Sequence, residues 1–326
     1  MINSVKAQEL NRLIRADYGN IAGIVVRRDN KLVFENYYDG YDQHATIHIA
    51  SVTKSILSIL IGIAIDKGFI ESVDQNILDF FEGYDIKRGE RTIQKITLKD
   101  ILTMTAPYKF KYEPYTKVYS SDDWSKAALD LLGGKGKIGE FKYTTVGIQV
   151  LSGILANATA KSITEFATEN LFTPLDINTP KNVTIRNKDE YFAFLRDRQV
   201  SGWVIDPKGV NTAGWGLALS TNDMAKIGQL CLNMGKWNGK PILSSKWIGN
   251  SVKEHSKCGE RPYGYLWWII NGKNSKDYAA IGDGGNVIFV SPSKKMVVAI
   301  ASRFMPRAKD RVELIKKHIL PCLEND

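Results

Sequence analysis

Runs with strand character gather at the two ends of this chain and leave the middle to helices, and that division narrows the possible folds most. Runs 21–27 and 32–38 are β-rich and flank Arg28-Asp29-Asn30, which reads as a hairpin. Strand character returns in runs 263–270, 278–281, 287–290 and 296–302. Between them, segments 97–104, 122–132, 145–158, 162–171 and 221–234 carry helical apolar spacing. Residues 310–320 close the chain as an amphipathic helix with Val312, Leu314, Ile315 and Ile319 on its apolar face. The expectation is an α+β chain whose two ends build one antiparallel sheet flanked by helices. Residues 1–68 and 260–326 would supply the sheet region and 69–259 an inserted, mostly helical region, together one domain. A functional site would then lie where the two meet.

Composition sets the class. With 326 residues, 44% hydrophobic and 24% charged, the chain has the make-up of a globular protein with a sizeable core. The net charge of +9 comes from scattered lysines and arginines with no nucleic-acid module signature, so solvated charge is the reading and no nucleic-acid partner is expected. The first twenty residues are polar and mixed, so no secretory signal is expected. Run 56–65 is too short to span a bilayer, so no membrane association is expected. Cys231, Cys258 and Cys322 are odd in number and far apart, which argues against a disulfide framework or a zinc site and fits a reducing cytoplasm. No metal or other cofactor is implied.

The sharpest chemical signal heads that apolar run: Ser51-Val52-Thr53-Lys54. On a helix, residues three apart share a face, so Lys54 stands one turn from Ser51. A serine hydroxyl needs a base to become a nucleophile, and a desolvated lysine amine can be one. The helix start adds unpaired N–H groups, which suit the oxyanion of an acyl transfer. The rival reading is an N-cap serine followed by a solvated lysine. A second copy of the spacing, Ser291-Pro292-Ser293-Lys294, lies between two strand runs and reads as a hairpin turn.

Other patterns compete. Gly134-x-Gly136-x-x-Gly139 matches the dinucleotide fingerprint but follows a helical pattern where that fingerprint needs a strand, so the glycines read as a turn. His48 is too near Ser51 in sequence for an independent base. Tyr143 lies in a short extended piece, 139–145, and either faces a cleft beside Ser51 or packs as an ordinary half-buried aromatic. A phenol becomes a base only where cations favour phenolate, and Lys54 is the candidate cation. Gly282-Asp283-Gly284-Gly285-Asn286 either lets a substrate approach a strand edge or, the reading favoured in isolation, makes a hairpin turn.

Taken together and in this order, the Ser51, Tyr143 and glycine segments resemble the penicillin-recognising serine hydrolases, in particular the class C β-lactamase branch with its DD-peptidases, esterases and amide hydrolases. Residues 49–55, 98–105, 141–147, 213–221 and 263–268 all carry the likeness. The resemblance implies a β-lactamase/transpeptidase-like fold with Ser51 as acylated nucleophile, Lys54 assisting it and Tyr143 as general acid-base. It implies backbone N–H groups of Ser51 and Asn286 as the oxyanion hole, and Thr145, Asp283, Gly284 and Gly285 against the substrate. Two departures stand out. Thr145 occupies the place of an asparagine, and Asp283 is matched to the family's lysine or histidine, where an aspartate would repel a substrate carboxylate. The expected substrate is therefore a small ester, or an amide bearing a neutral or cationic group. DD-peptidase or β-lactamase activity is the second expectation, and an inactive ligand-binding homologue the third.

Overall fold

The computed structural model describes residues 4–198, 200–272 and 275–323. Eight strands form one antiparallel sheet: β1 (Ile21–Arg28), β2 (Lys31–Tyr37), β3 (Ser256–Cys258), β4 (Arg261–Tyr263), β5 (Trp268–Gly272), β6 (Ser275–Gly282), β7 (Asn286–Ser291) and β8 (Met296–Ser302), in the order β2-β1-β8-β7-β6-β5-β4-β3. The first and last of these strands meet one strand in from the β2 edge, where β1 pairs with β8 from Ile21↔Ser302 to Arg28↔Met296. Asp29 and Asn30 both take positive φ, 49° and 66°, which suits the tight β1–β2 hairpin.

Alternation along the central strands divides their side chains between two apolar layers. Ile24, Val26, Phe289, Val298 and Ile300 face Leu10 and Ile14 of α1 (Ser4–Asp17) and Leu314, Ile315 and Ile319 of the C-terminal helical stretch. Val25, Ile288, Val290, Val297 and Ala299 face α2 (Val52–Asp66) and helix Thr221–Leu232. Because both faces are covered, β7 and β8 are buried throughout and lack a polar alternation.

Helix α2 is apolar on every side, as a helix enclosed by protein must be. Its residues from Val52 to Ala64 are buried, and each fully buried Ile or Leu side chain contributes about 2 kcal/mol of hydrophobic stabilisation. The helix stops at Lys67, followed by Gly68 at φ 77°, a left-handed terminus that glycine adopts without strain.

Three features depart from the sequence reading. The sheet recruits Ser256–Cys258, upstream of the expected boundary, while Thr46–His48 leaves the sheet to pair with Ala218–Ser220. Run 263–270 is broken between β4 and β5, because Gly264 lies so close to Ser251 that a Cβ there would sit 1.9 Å from its carbonyl oxygen. Helices Ser4–Asp17 and Lys188–Arg196 are additional. The Gly134–Gly139 segment forms turns, with Gly133 and Gly134 both at positive φ. Among the described residues no helix is long and apolar enough to cross a membrane, and no cluster of His, Cys, Asp or Glu is placed to hold a metal ion.

Candidate active site

Ser51 sits at the start of α2, directly after Ala50, whose φ of 49° is a left-handed conformation uncommon for a residue with a side chain. The Ser51 side chain makes no capping bond to the helix, which removes the N-cap reading. Its Oγ instead accepts a hydrogen bond of 2.9 Å from Lys54 Nζ, one turn along. Lys54 is 1% exposed. A buried amine survives only when its hydrogen bonds are made, and Nζ has three acceptors: Ser51 Oγ, Thr145 Oγ1 at 3.1 Å and the Gly214 carbonyl at 2.8 Å. Three acceptors match the three donors of an ammonium.

Tyr143 and Thr145 reach Lys54 from the turn that precedes helix Gln149–Thr159. The Tyr143 ring lies 5.1 Å from Lys54 Nζ, is 36% exposed and stacks on Trp268 with centroids 5.8 Å apart. Tyr143 is thus partly open to solvent with Lys54 beside its ring, and it also packs as an aromatic against Trp268. Thr145 lacks an amide, yet its hydroxyl keeps contact with the lysine. The turn itself is organised by Glu113: one carboxylate oxygen accepts from Thr145 N–H at 2.7 Å, Val146 N–H at 3.1 Å and the Thr144 hydroxyl.

The glycine-rich segment lands differently from the sequence match. Gly282, the last residue of β6, is the glycine that presses on the nucleophile turn: a Cβ there would lie 2.5 Å from the Ile49 carbonyl oxygen and 3.1 Å from Ser51 N. Gly284 and Gly285 lie beyond it, with Gly284 against 303–305 and Gly285 against Arg311. Residues 283–285 form the turn into β7, as the hairpin reading has it, while Gly282 packs against the backbone of the nucleophile turn. Asn286 is buried opposite Gly282 in the ladder, and its amide nitrogen donates to the His48 and Asp283 carbonyls.

Asp283 is exposed and follows the close-packed glycine. Its charge reaches Tyr191, whose phenol is pushed up by burial and then by Asp283. Asp283 also lines a cavity of about 470 Å³, to which Arg261, Arg307, Lys309 and Arg311 contribute. The local sign is therefore mixed rather than reversed.

His48 is not a base for Ser51. It is 7% exposed, and its Nε2 accepts the Gly216 N–H at 3.0 Å, so the ring is neutral with its proton on Nδ1. Burial pulls it down to about 3. Its role is to hold segment 214–216, whose Gly214 carbonyl receives Lys54. Sequence reasoning missed Glu113, Gly214, Gly282 and this function of His48. Only Gly282 carried a local signal, a glycine ending a strand pattern.

The sheet with its helical cover and the Ser51–Lys54–Tyr143 constellation together define a class, and the comparisons agree with it. The sequence profile described as Beta-lactamase matches residues 10–320, and the chain belongs to that family. It is 21% identical over 300 residues to 6-aminohexanoate-dimer hydrolase of Paenarthrobacter ureafaciens, covering 84% of this chain and 70% of that protein. Among solved structures, a class C β-lactamase mutant superposes with a TM-score of 0.75 at 14% identity, covering 98% of each chain. The hydrolase EstCE1, described as having promiscuous acyltransferase activity, superposes with a TM-score of 0.70 at 14% identity and covers 94% of each. These likenesses establish the β-lactamase/transpeptidase-like fold.

Proposed function

We propose that the protein is a serine hydrolase that cleaves a small ester or amide through an acyl-enzyme on Ser51. The observation that carries this reading is the 2.9 Å hydrogen bond from a 1%-exposed Lys54 to Ser51 Oγ at the head of a buried helix. Because Lys54 donates to Oγ, the hydroxyl proton of Ser51 points elsewhere, and Tyr143 is the group that takes it. Oγ attacks the carbonyl carbon, Tyr143 returns the proton to the departing alcohol or amine, and water then repeats the sequence on the acyl group. Lys54 holds Oγ in place by its hydrogen bond. The oxyanion is received by the Ser51 N–H and by the N–H that follows Gly282, that of Asp283, in place of Asn286. Each such donor is worth about 3 kcal/mol in the transition state.

Thr145 in place of an amide donor, together with the likeness to 6-aminohexanoate-dimer hydrolase and to EstCE1, favours a linear amide or ester over a β-lactam. A fluorophosphonate probe followed by peptide mapping tests the reading: label is expected on Ser51, and a protein that stays unlabelled across pH 6–9 (roughly the range in which such bases work) would overturn it. DD-peptidase or β-lactamase activity is the second reading, favoured by the cationic side chains that line the cavity beside Gly282. Rapid turnover of a reporter cephalosporin, with no hydrolysis of linear esters or amides, would make it the first.

A further inference from the structure

Glu113 belongs to no motif, yet it is the residue that ties the Tyr143–Thr145 segment together. It is half-buried on the loop before helix Tyr115–Tyr119. One of its oxygens collects two backbone N–H groups and a hydroxyl from three consecutive residues, 144–146. The Thr144 hydroxyl in turn accepts the Gly147 N–H at 2.9 Å, so the whole turn closes on this carboxylate. Hydrogen bonds to a charged acceptor are roughly twice as strong as neutral ones, and Tyr143 is bonded directly to this clamped segment. Thr145 then carries the connection inward, since its Oγ1 accepts from Lys54 Nζ. The phenol of Tyr115 abuts both Glu113 and Thr145 on the outer side.

We propose that Glu113 is a positioning residue for the acyl-transfer centre: through the 144–146 turn its carboxylate sets the place of Tyr143 and of the Thr145 hydroxyl that meets Lys54. The inference rests on the reading of Ser51 as nucleophile. Glu113 lies one hydrogen-bonded residue from Lys54, with Thr145 between them. The other titratable groups facing it are Lys142 from the strand-like entry to the turn, Tyr108 beneath, and Tyr115 and Tyr119 on the adjoining helix. Lys142 is the only other cation among them, and its amine is directed to the Phe110 carbonyl.

Glu113→Gln keeps an oxygen for the two N–H groups and removes the charge. The charge-assisted bonds to the turn become neutral ones, so the turn is held less firmly. Misplaced catalytic groups cost rate more than binding, so kcat should fall about 10-fold to 100-fold with KM little changed. Glu113→Asp retains the charge and loses reach, so it should also lose kcat with KM little changed. A wild-type kcat in Glu113→Gln, or a loss carried by KM in both variants, would refute the proposal. Ser51→Ala run alongside separates the two levels. If it too retains turnover, the nucleophile reading has failed; if it is dead while Glu113→Gln matches wild type, only the role of Glu113 has.

Discussion

This chain contains the same four-residue spacing twice, and the two copies show what turns a motif into a site. Ser51 and Lys54 sit at the head of a buried helix, where the lysine is stripped of water and surrounded by three acceptors. Ser291 and Lys294 sit where β7 turns back into β8. There the serine is buried at the strand end, with Ser293 Oγ 3.5 Å away, and Pro292 and Ser293 are exposed. Spacing is identical and chemistry is not, because a turn provides neither a helical face to align the two groups nor a wall to exclude water. Ser51 also has a glycine strand end packed against its backbone and an aromatic ring 5.1 Å from its lysine.

The largest test exchanges the two serines for alanine. Ser51→Ala should lower turnover of a chromogenic short-chain ester by roughly 10⁴-fold or more. Ser291→Ala should stay within about twofold, as changes remote from the chemistry do. Comparable losses in both would erase the distinction. The lysines follow at smaller scale. Lys54→Ala should cost about 10²-fold to 10⁴-fold, and Lys294→Ala should leave the rate at the wild-type level. A fully active Lys54→Ala would remove the amine from the chemistry and leave Tyr143 alone with Ser51.

How far the sequence foretold this contrast depends on the range of the interaction. The Ser51–Lys54 pair is local, four residues on one helix, and the burial of that helix follows from its unbroken apolar run. The strand-rich ends likewise announced the sheet, because alternation and turn residues are local signals. Glu113 and Gly214 are different. Each matters through a single oxygen, a carboxylate 32 residues from Thr145 in one case and a carbonyl 160 residues from Lys54 in the other, and no periodicity encodes that. The glycine segment shows the same limit: three glycines stand close together, and only packing against Ile49 and Ser51 singles out Gly282. The helix Ser4–Asp17 escaped because few apolar residues, chiefly Leu10 and Ile14, anchor it to the sheet.

Gly282→Ala probes that packing. An added methyl would stand 2.5 Å from the Ile49 carbonyl oxygen and 3.1 Å from Ser51 N, both backbone atoms. The strand end must withdraw from the nucleophile turn, carrying the Asp283 N–H with it. Turnover should fall about 10²-fold, the usual loss of one oxyanion donor, while fluorophosphonate labelling of Ser51 persists more slowly. A Gly282→Ala enzyme of full activity would show that the strand end is not part of the oxyanion site.

The smallest effect on rate, and the most diagnostic of burial, comes from His48. Strand pairing and its bond to Gly216 lock it behind the first motif as a neutral ring. Burial lowers its folded-state value to about 3 against 6.5 in the unfolded chain. Between those values the unfolded chain binds a proton that the folded one refuses. Its contribution is therefore whole above pH 6.5 and is lost as pH falls toward 3, at about 1.4 kcal/mol per pH unit. His48→Gln keeps an acceptor for Gly216 and does not titrate, so its unfolding free energy should decline less steeply between about pH 6 and 4. Activity near neutral pH should change by only a few-fold, because the Gly214 carbonyl stays in place for Lys54. A variant whose stability falls with acid as steeply as wild type would mean that His48 meets water in the folded protein, and that the wall behind Ser51 and Lys54 is not dry.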